Sequence, residues 1–103
     1  MTDRERLPGR RDSTIVEFFH DNIHYTAGFS RFADGRLAEV FLNGGKLDSQ
    51  TDVFARDCAI AASLALQSGC PADDLRAALT RTGAGGAAGA LSVALDCIAE
   101  VAS

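Results

Sequence analysis

The sequence predicts an α+β fold, in which a three-stranded antiparallel sheet is followed by three helices packed on one face. Five of the six Phe and the only Tyr lie between residues 18 and 41, whereas 15 of the 18 Ala fall at or after residue 55. Aromatic residues favour strands, and Ala favours helices. Segregation of strands and helices along the chain is typical of α+β domains rather than of alternating βαβ units.

Length and charge exclude several classes of protein. A chain of 103 residues allows one small domain, which excludes a large multi-domain enzyme. Fourteen acidic residues against ten basic ones give a net charge of −4, which argues against a nucleic-acid partner. The charged first eleven residues do not resemble a secretory signal, and the longest uncharged run is too short to cross a bilayer. We therefore expect a cytoplasmic protein with no membrane partner.

The first half of the chain is interpreted as an arm and three strands. Residues 1–12 contain four Arg and no apolar periodicity, so we expect a flexible basic arm ahead of a single domain over residues 13–103. Strands are predicted over 13–20, 23 to about 32, and 36–42. Asp34-Gly35 predicts a two-residue type I′ hairpin turn. That turn sets the pairs Ala33 with Arg36, Phe29 with Val40, and Ala27 with Leu42.

This register divides the sheet into two faces, because side chains alternate along a strand. The inner face carries mainly apolar residues, and we expect it to pack against the helices. The outer face is half apolar, since Phe32, Leu37 and Phe41 share it with polar residues. An exposed apolar surface of this kind indicates a second burial surface, so these three residues are candidate interface residues for a dimer.

The second half is interpreted as three helices. The first begins near Ser49 or Thr51, with Asp52 favouring its positive end, and ends at Gly69. The second has Pro71 at its first position and ends just before Gly83. The last begins at about Ala90. Apolar residues on nearly all sides of the first helix predict that it lies at the centre of the fold.

One loop has the composition of a phosphate site. Asn43-Gly44-Gly45-Lys46 joins the third strand to the first helix, where glycines permit close approach and a lysine neutralises charge. Asn43, Gly44, Gly45 and Lys46 are therefore the candidate ligand-binding residues. The segment lacks P-loop spacing, however, and a tight strand-to-helix connection needs the same glycines.

Neither a catalytic nor a metal site is predicted. Cys58, Cys70 and Cys97 form no CxxC pair and no Cys/His cluster, so free thiols are expected. Cys70 precedes a helix start, where the dipole would favour a thiolate, but acidic residues follow it directly. His20 and His24, the candidate bases for a reactive thiol, lie on or near strands. A thiol enzyme remains an alternative, and no cofactor is expected.

The order of several segments along the chain resembles a known family. Residues 6–98 are similar to the C-terminal TSCPD-type domain of adenosylcobalamin-dependent (class II) ribonucleotide reductases and to their short stand-alone relatives. The segments that carry the resemblance are RLPGRR (6–11), DGRLAEVFLNGGK (34–46), ARDCAIAASLALQSGCP (55–71), LRAALTR (75–81) and GAAGALSVALD (86–96). The strand with its Gly-Gly-Lys sequence is the most specific of them.

The chain departs from this family at the motif that names it. The family has Thr-Ser-Cys-Pro-Asp just before the last helix, and the matching residues here are 85–89, with Ala87 in place of the cysteine. A metal-binding or redox role of that cysteine is therefore not transferred to this chain. Cys97 lies deeper in the helix and does not replace it.

The resemblance implies a link to deoxyribonucleotide synthesis. A ribonucleotide reductase needs a large barrel with a radical-forming cysteine, so we predict that this chain is not a reductase by itself. The leading hypothesis is a non-catalytic accessory or assembly module, whose partner is a second copy or a ribonucleotide reductase chain. The alternative is a domain that binds the phosphate of a nucleotide or of cobalamin through Gly44-Gly45-Lys46.

Overall fold

The computed structural model describes residues 13–101. Its elements in chain order are β1 (Thr14–His20), β2 (Ile23–Arg31), β3 (Leu37–Gly44), α1 (Gln50–Gln67), α2 (Ala72–Ala78) and α3 (Ala90–Glu100). The three strands form one antiparallel sheet in the order β1-β2-β3, which confirms the predicted α+β class. The predicted basic arm, residues 1–12, lies outside the described residues.

The core lies between the inner face of the sheet and the helices. The predicted pairs Phe29 with Val40 and Ala27 with Leu42 are confirmed, and all four residues are buried. Further core residues come from β2, β3, α1 and α3 and are Tyr25, Leu37, Ala55, Ala59, Leu66, Ala94, Leu95 and Ile98. Small Ala side chains on α1 and α3 allow these helices to pack closely against the sheet. None of the helices within residues 13–101 is long and apolar enough to cross a membrane.

The hairpin between β2 and β3 differs from the prediction of a two-residue type I′ turn. Phe32 pairs with Arg36, since its N–H donates to the Arg36 carbonyl at 2.8 Å, and Gly35 donates back to the Phe32 carbonyl at 2.9 Å. Three residues therefore form the loop, and only Gly35, at φ 93°, adopts the left-handed conformation. This is the three-residue hairpin loop with glycine at its last position. The predicted pair of Ala33 with Arg36 is wrong.

Because of the longer loop, the pairing of β2 with β3 next to the hairpin is shifted by one residue from the predicted register. An irregularity between Ser30 and Arg31 restores the predicted register along the rest of the two strands. Arg31 pairs with Leu37, but Ser30 pairs with Glu39, so Ala38 is the extra residue of a bulge. The bulge turns Leu37 toward the core, where it is 6% exposed. The predicted placement of Leu37 on the outer face is therefore wrong.

Phe32 is also buried, at 7% exposure. This differs from the expectation that Phe32 is exposed on the outer face. The guanidinium of Arg36 lies over its ring, 4.5 Å from the centroid, because the three-residue loop places the two residues opposite each other. Phe41, at 51% exposure, is the predicted interface residue that stays on the surface.

Helix α1 begins as the sequence predicts. Ser49 is the N-cap, and its hydroxyl accepts a hydrogen bond from the Asp52 amide at 3.2 Å. Asp52 lies in the first turn and is buried. The helix ends at Gln67, two residues before Gly69, whose φ of 104° terminates it.

Polar side chains of α1 cover the free edge of β3. The Ser63 hydroxyl accepts from the Val40 amide and donates to the Val40 carbonyl, both at 2.9 Å. One turn further, the Gln67 side-chain amide donates to the Ala38 carbonyl at 3.1 Å. An open strand edge presents unpaired backbone groups that invite pairing with another chain. Here α1 satisfies several of them within the same chain.

Helix α2 is shorter than predicted. It ends at Ala78, and the backbone of Leu79 is extended. Arg81 instead forms a β-bridge with Ala87, which closes the glycine-rich segment into a small turn. The Arg81 and Arg76 guanidiniums both donate to the Asp96 carboxylate of α3, at 3.2 and 3.0 Å. These contacts join α2 and the turn to α3, and the two arginines lower the pKa of Asp96.

Removal of the Ser63 hydroxyl tests the contact between α1 and β3. We expect Ser63→Ala to lower the free energy of unfolding by about 1–3 kcal/mol, because the buried Val40 amide and carbonyl lose their partner. Urea unfolding measures this difference, and Ser63→Thr, which keeps the hydroxyl, is expected to retain more of the stability. A loss below about 0.5 kcal/mol for Ser63→Ala would contradict this role.

Candidate functional site

The predicted ligand loop is organised around the carboxylate of Asp52. One carboxylate oxygen accepts from the Gly44 amide at 3.2 Å, and the other accepts from the Asp48 amide at 3.1 Å. The Asn43 side chain lies close enough to help lower the pKa of this carboxyl. The Arg56 guanidinium lies 3.2 Å away, one helical turn along α1. Asp52 therefore ties the end of β3 and the following loop to the start of α1.

These donors determine the charge of Asp52. The Asp48 amide, and then the Gly44 amide and the Arg56 charge, hold the pKa of the buried carboxyl below its usual value, although burial opposes this shift. Asp52 is therefore ionised at neutral pH. A negative charge at this position occupies the Gly44 amide and repels a second anion, so it weighs against a phosphate in the same loop.

Gly44 has a packing role that the sequence does not reveal. A Cβ at this position would lie within 2.2 Å of the Tyr25 ring, so only glycine allows the ring to cross the backbone here. Tyr25 is 5% exposed, and its ring stacks on Phe18 with centroids 5.3 Å apart. Close approach of an aromatic ring, rather than of a ligand, accounts for this glycine.

The remaining residues of the predicted ligand loop are exposed. Asn43, Gly45 and Lys46 all lie at the surface, and Gly45 adopts a left-handed φ of 67°. The structure thus brings the four predicted ligand residues into one loop, but it directs the Gly44 amide to Asp52. Phosphate binding by this loop stays a prediction.

The outer face of the sheet carries an exposed apolar surface. Ile15 on β1 and Phe41 on β3 both flank Gly28 of β2, and they are 67% and 51% exposed. The apolar surface continues around the edge of β3, where Phe41, Ile60 and Leu64 line one groove. We call Ile15, Phe41, Ile60 and Leu64 the outer apolar patch. Ile60 and Leu64 were missed in the sequence, because an alanine-rich helix that is apolar on all sides does not show which residues remain exposed.

The three cysteines are free, as expected. Cys58 is exposed on α1, and Cys70 and Cys97 are partly buried. Burial raises the pKa of the Cys97 thiol, and the nearby Glu100 and Asp96 carboxylates add to this effect. Residues 13–101 hold no group of three His, Cys, Asp or Glu side chains placed to bind a metal ion. The Nε2 atom of His24 lies 3.1 Å from a Glu17 carboxylate oxygen on the outer face, rather than beside a thiol.

The packing role of Gly44 gives a direct prediction. We expect Gly44→Ala to destabilise the protein by about 1–3 kcal/mol, because the added methyl group overlaps the Tyr25 ring. Thermal unfolding measures the loss. Gly28→Ala is the matched control, since a Cβ there makes ordinary contacts of 3.6 Å or more. Equal stability of the two variants would show that Gly44 is not needed for packing.

The lowered pKa of Asp52 gives a pH-dependent prediction. A carboxyl whose pKa is lower in the folded state stabilises the protein above its unfolded pKa and loses this contribution as the pH falls through the folded value. We therefore expect Asp52→Asn to be less stable than the parent at pH 7, with a difference that shrinks as the pH falls below about 4, the pKa of an unfolded Asp. Urea unfolding across this range measures it. Asp57→Asn, on the exposed side of α1, is the control, and a difference for Asp52→Asn that is constant with pH would contradict the prediction.

Comparison with known proteins identifies the family. The family model of the TSCPD domain matches residues 2–103. A vitamin B12-dependent ribonucleotide reductase from Bradyrhizobium diazoefficiens is 33% identical over 82 residues, which are 80% of this chain. The match covers 6% of that reductase, so the chain spans a small part of the length of its relative. No solved structure matches the chain. The match over nearly every residue shows that the chain belongs to the TSCPD domain family.

Proposed function

We propose that this protein is a non-catalytic assembly module linked to deoxyribonucleotide synthesis. It binds through the outer apolar patch to a ribonucleotide reductase chain or to a second copy of itself. The observation that carries this proposal is the exposure of the patch on a domain whose relative is called a ribonucleotide reductase. Exposed apolar surfaces of this kind are typical of protein interfaces.

The shape of the patch supports binding to another protein. Gly28 leaves space between Ile15 and Phe41, and the Phe41 ring would lie 3.6 Å from a Cβ at that glycine. Aromatic residues dominate the binding energy of many interfaces. Glu17 and His24 form a polar pair on the same face. A central apolar group with a polar rim is the usual arrangement of an interface.

The chemistry of the described residues supports a module without catalysis. The family cysteine is replaced by Ala87, and the thiol of Cys97 is held protonated at neutral pH by its raised pKa. The Asp52 carboxylate at the start of α1 accepts backbone amides of β3 and of the following loop. These groups are used for structure, which is consistent with a role in assembly.

The experiment places a charge in the outer apolar patch. Phe41→Asp is expected to weaken self-association, or binding to a full-length B12-dependent ribonucleotide reductase from the same source, by at least about tenfold. The burial of an unpaired carboxylate in an apolar interface is the physical reason. Sedimentation velocity of the chain alone, and then of its mixture with the reductase, measures both equilibria.

Leu47→Asp is the matched control. Leu47 is 74% exposed in the loop after β3 and lies outside the patch, so this variant adds the same charge without touching the proposed interface. It is expected to associate as the parent does. The proposal fails if the parent protein binds neither itself nor the reductase, or if both variants associate equally well.

A further inference from the structure

The two edges of the sheet differ in how their backbone groups are covered. The strand order β1-β2-β3 leaves one edge on β3 and the other on β1. Side chains of Ser63, Gln67 and Asp52 bind backbone groups at the β3 edge. Within residues 13–101, no hydrogen bond joins a backbone group at the β1 edge to a helix or a loop. In this part of the chain β1 is therefore an open edge strand.

The pairing of the strands shows which backbone groups of β1 point outward. Successive residues of an antiparallel strand direct their N–H and C=O groups alternately to its two sides. The Gly45 amide donates to the His24 carbonyl, so His24 and every second residue after it in β2 face β3. Tyr25 and its alternates therefore face β1, where their partners, such as Phe18, direct their backbone groups to β2. The β1 residues whose backbone groups point outward are Ile15, Glu17 and Phe19.

The sequence of β1 does little to prevent pairing with another strand. Sheets protect an open edge with Pro, Lys, a bulge or an inward-pointing charge. β1 contains no Pro and no Lys, and its pairing with β2 is regular over all seven residues. Ile15 and Phe19 are 67% and 74% exposed, and the Glu17 carboxylate between them lies 3.1 Å from the His24 ring nitrogen. β1 thus presents a regular and mostly apolar edge.

We propose that β1 pairs with β1 of a second copy of this chain, antiparallel about a two-fold axis at Glu17. The two three-stranded sheets then form one continuous sheet. An antiparallel edge is complementary to itself, because each outward N–H meets an outward C=O of the other copy. Ile15 pairs with the partner's Phe19, Glu17 with the partner's Glu17, and Phe19 with the partner's Ile15. Each of these pairs exchanges two N–H···O bonds.

The side chains of β1 favour this register over the neighbouring ones. Ile15 lies opposite the partner's Phe19 on the outer face, and Val16 lies opposite the partner's Phe18 on the inner face, so apolar groups meet on both faces. A shift by two residues places Glu17 opposite Ile15 or Phe19 and loses one of the three hydrogen-bonded pairs. The two Glu17 carboxylates face each other across the axis, each beside the His24 of its own copy. This contact between like charges lowers the affinity.

The size of the contact predicts a weak dimer. A standard interface buries about 800 Å² on each partner. Phe19 is the largest apolar side chain at this edge, and a whole Phe buries only about 150–250 Å². We therefore expect a Kd on the order of 10–100 μM. Although Ile15 belongs also to the outer apolar patch, Phe41 at the centre of that patch lies two strands away, so this inference does not depend on the proposed function.

Proline at position 17 tests the hydrogen bonds of the β1 edge. Glu17→Pro removes an amide that points away from β2, so the pairing within the chain is kept, and an edge strand tolerates proline at such a position. We expect the parent to dimerise reversibly with concentration and Glu17→Pro to weaken the dimer at least about tenfold. Sedimentation equilibrium measures both, and circular dichroism shows that the variant is folded.

Phe19→Lys is a second variant that keeps every backbone amide, and it is also expected to weaken the dimer because a lysine on an edge strand opposes pairing. Leu47→Lys is its matched control, since Leu47 is equally exposed, at 74%, in the loop after β3. Phe41→Asp distinguishes this inference from the proposed function. Dissociation of the dimer by Phe41→Asp but not by Phe19→Lys would overturn the inference and assign self-association to the outer apolar patch. A parent protein that stays monomeric at about 1 mM would also overturn it, while binding of the patch to the reductase would be unaffected.

Amide hydrogen exchange, followed by NMR, locates the contact. In the monomer the amides of Val16 and Phe18 are protected by β2, whereas those of Ile15, Glu17 and Phe19 are open to solvent. We expect the exchange of these three amides to slow as the protein concentration rises through the Kd. Exchange at the three positions that is unchanged in the dimer would show that the copies meet elsewhere.

A charge exchange tests the register. In a dimer of Glu17→Lys two ammonium groups face each other, whereas a mixed dimer with the parent places opposite charges across the axis. Native mass spectrometry with ¹⁵N-labelled parent measures the proportions of the three dimers. We expect the mixed dimer to exceed its statistical share roughly threefold. A statistical distribution would overturn the placement of the axis at Glu17.

Discussion

The hydrogen bonds between α1 and the free edge of β3 hold this small domain together. A three-stranded sheet has two edge strands, and an uncovered edge pairs readily with other chains. The side chains of Ser63 and Gln67 on α1 form hydrogen bonds with backbone groups of Val40 and Ala38. The helix thus satisfies backbone groups that would otherwise be open to a fourth strand. The same contact fixes α1 beside the inner face of the sheet, where its Ala residues enter the core.

Asp52 extends this arrangement to the other end of β3. Its carboxylate accepts the Gly44 and Asp48 amides, while its own amide donates to the Ser49 side chain. One residue thus joins the last strand, the connecting loop and the helix start. The Gly44 amide, which the sequence suggests for a phosphate, is instead used by Asp52 to close the fold.

The architecture separates two surfaces with different chemistry. The outer apolar patch centres on Phe41 and joins the outer face of the sheet to the exposed side of α1, which suits a protein partner. A groove on the opposite side of the sheet lies between β2, β3, α1 and the first turn of α3.

The sequence by itself determined the order of elements, the inner-face pairs of the sheet and the start of α1. Those features depend on local signals, namely aromatic and Ala segregation, two-residue periodicity and the Ser49 cap. It also carried the family, through segments spread along the chain. Local signals do not specify how a loop compensates for its length, so the three-residue turn and the bulge that buries Leu37 were not predictable.

Tertiary structure alone decided which polar groups have partners. Whether Asp52 binds a ligand or backbone amides, and whether Ser92 is satisfied, depends on residues that are distant in sequence and meet only after packing. The same holds for Gly44, whose need for a small residue comes from the Tyr25 ring on another strand. The physical reason is that burial and hydrogen-bond satisfaction are properties of neighbours in space, whereas periodicity and capping are properties of neighbours along the chain.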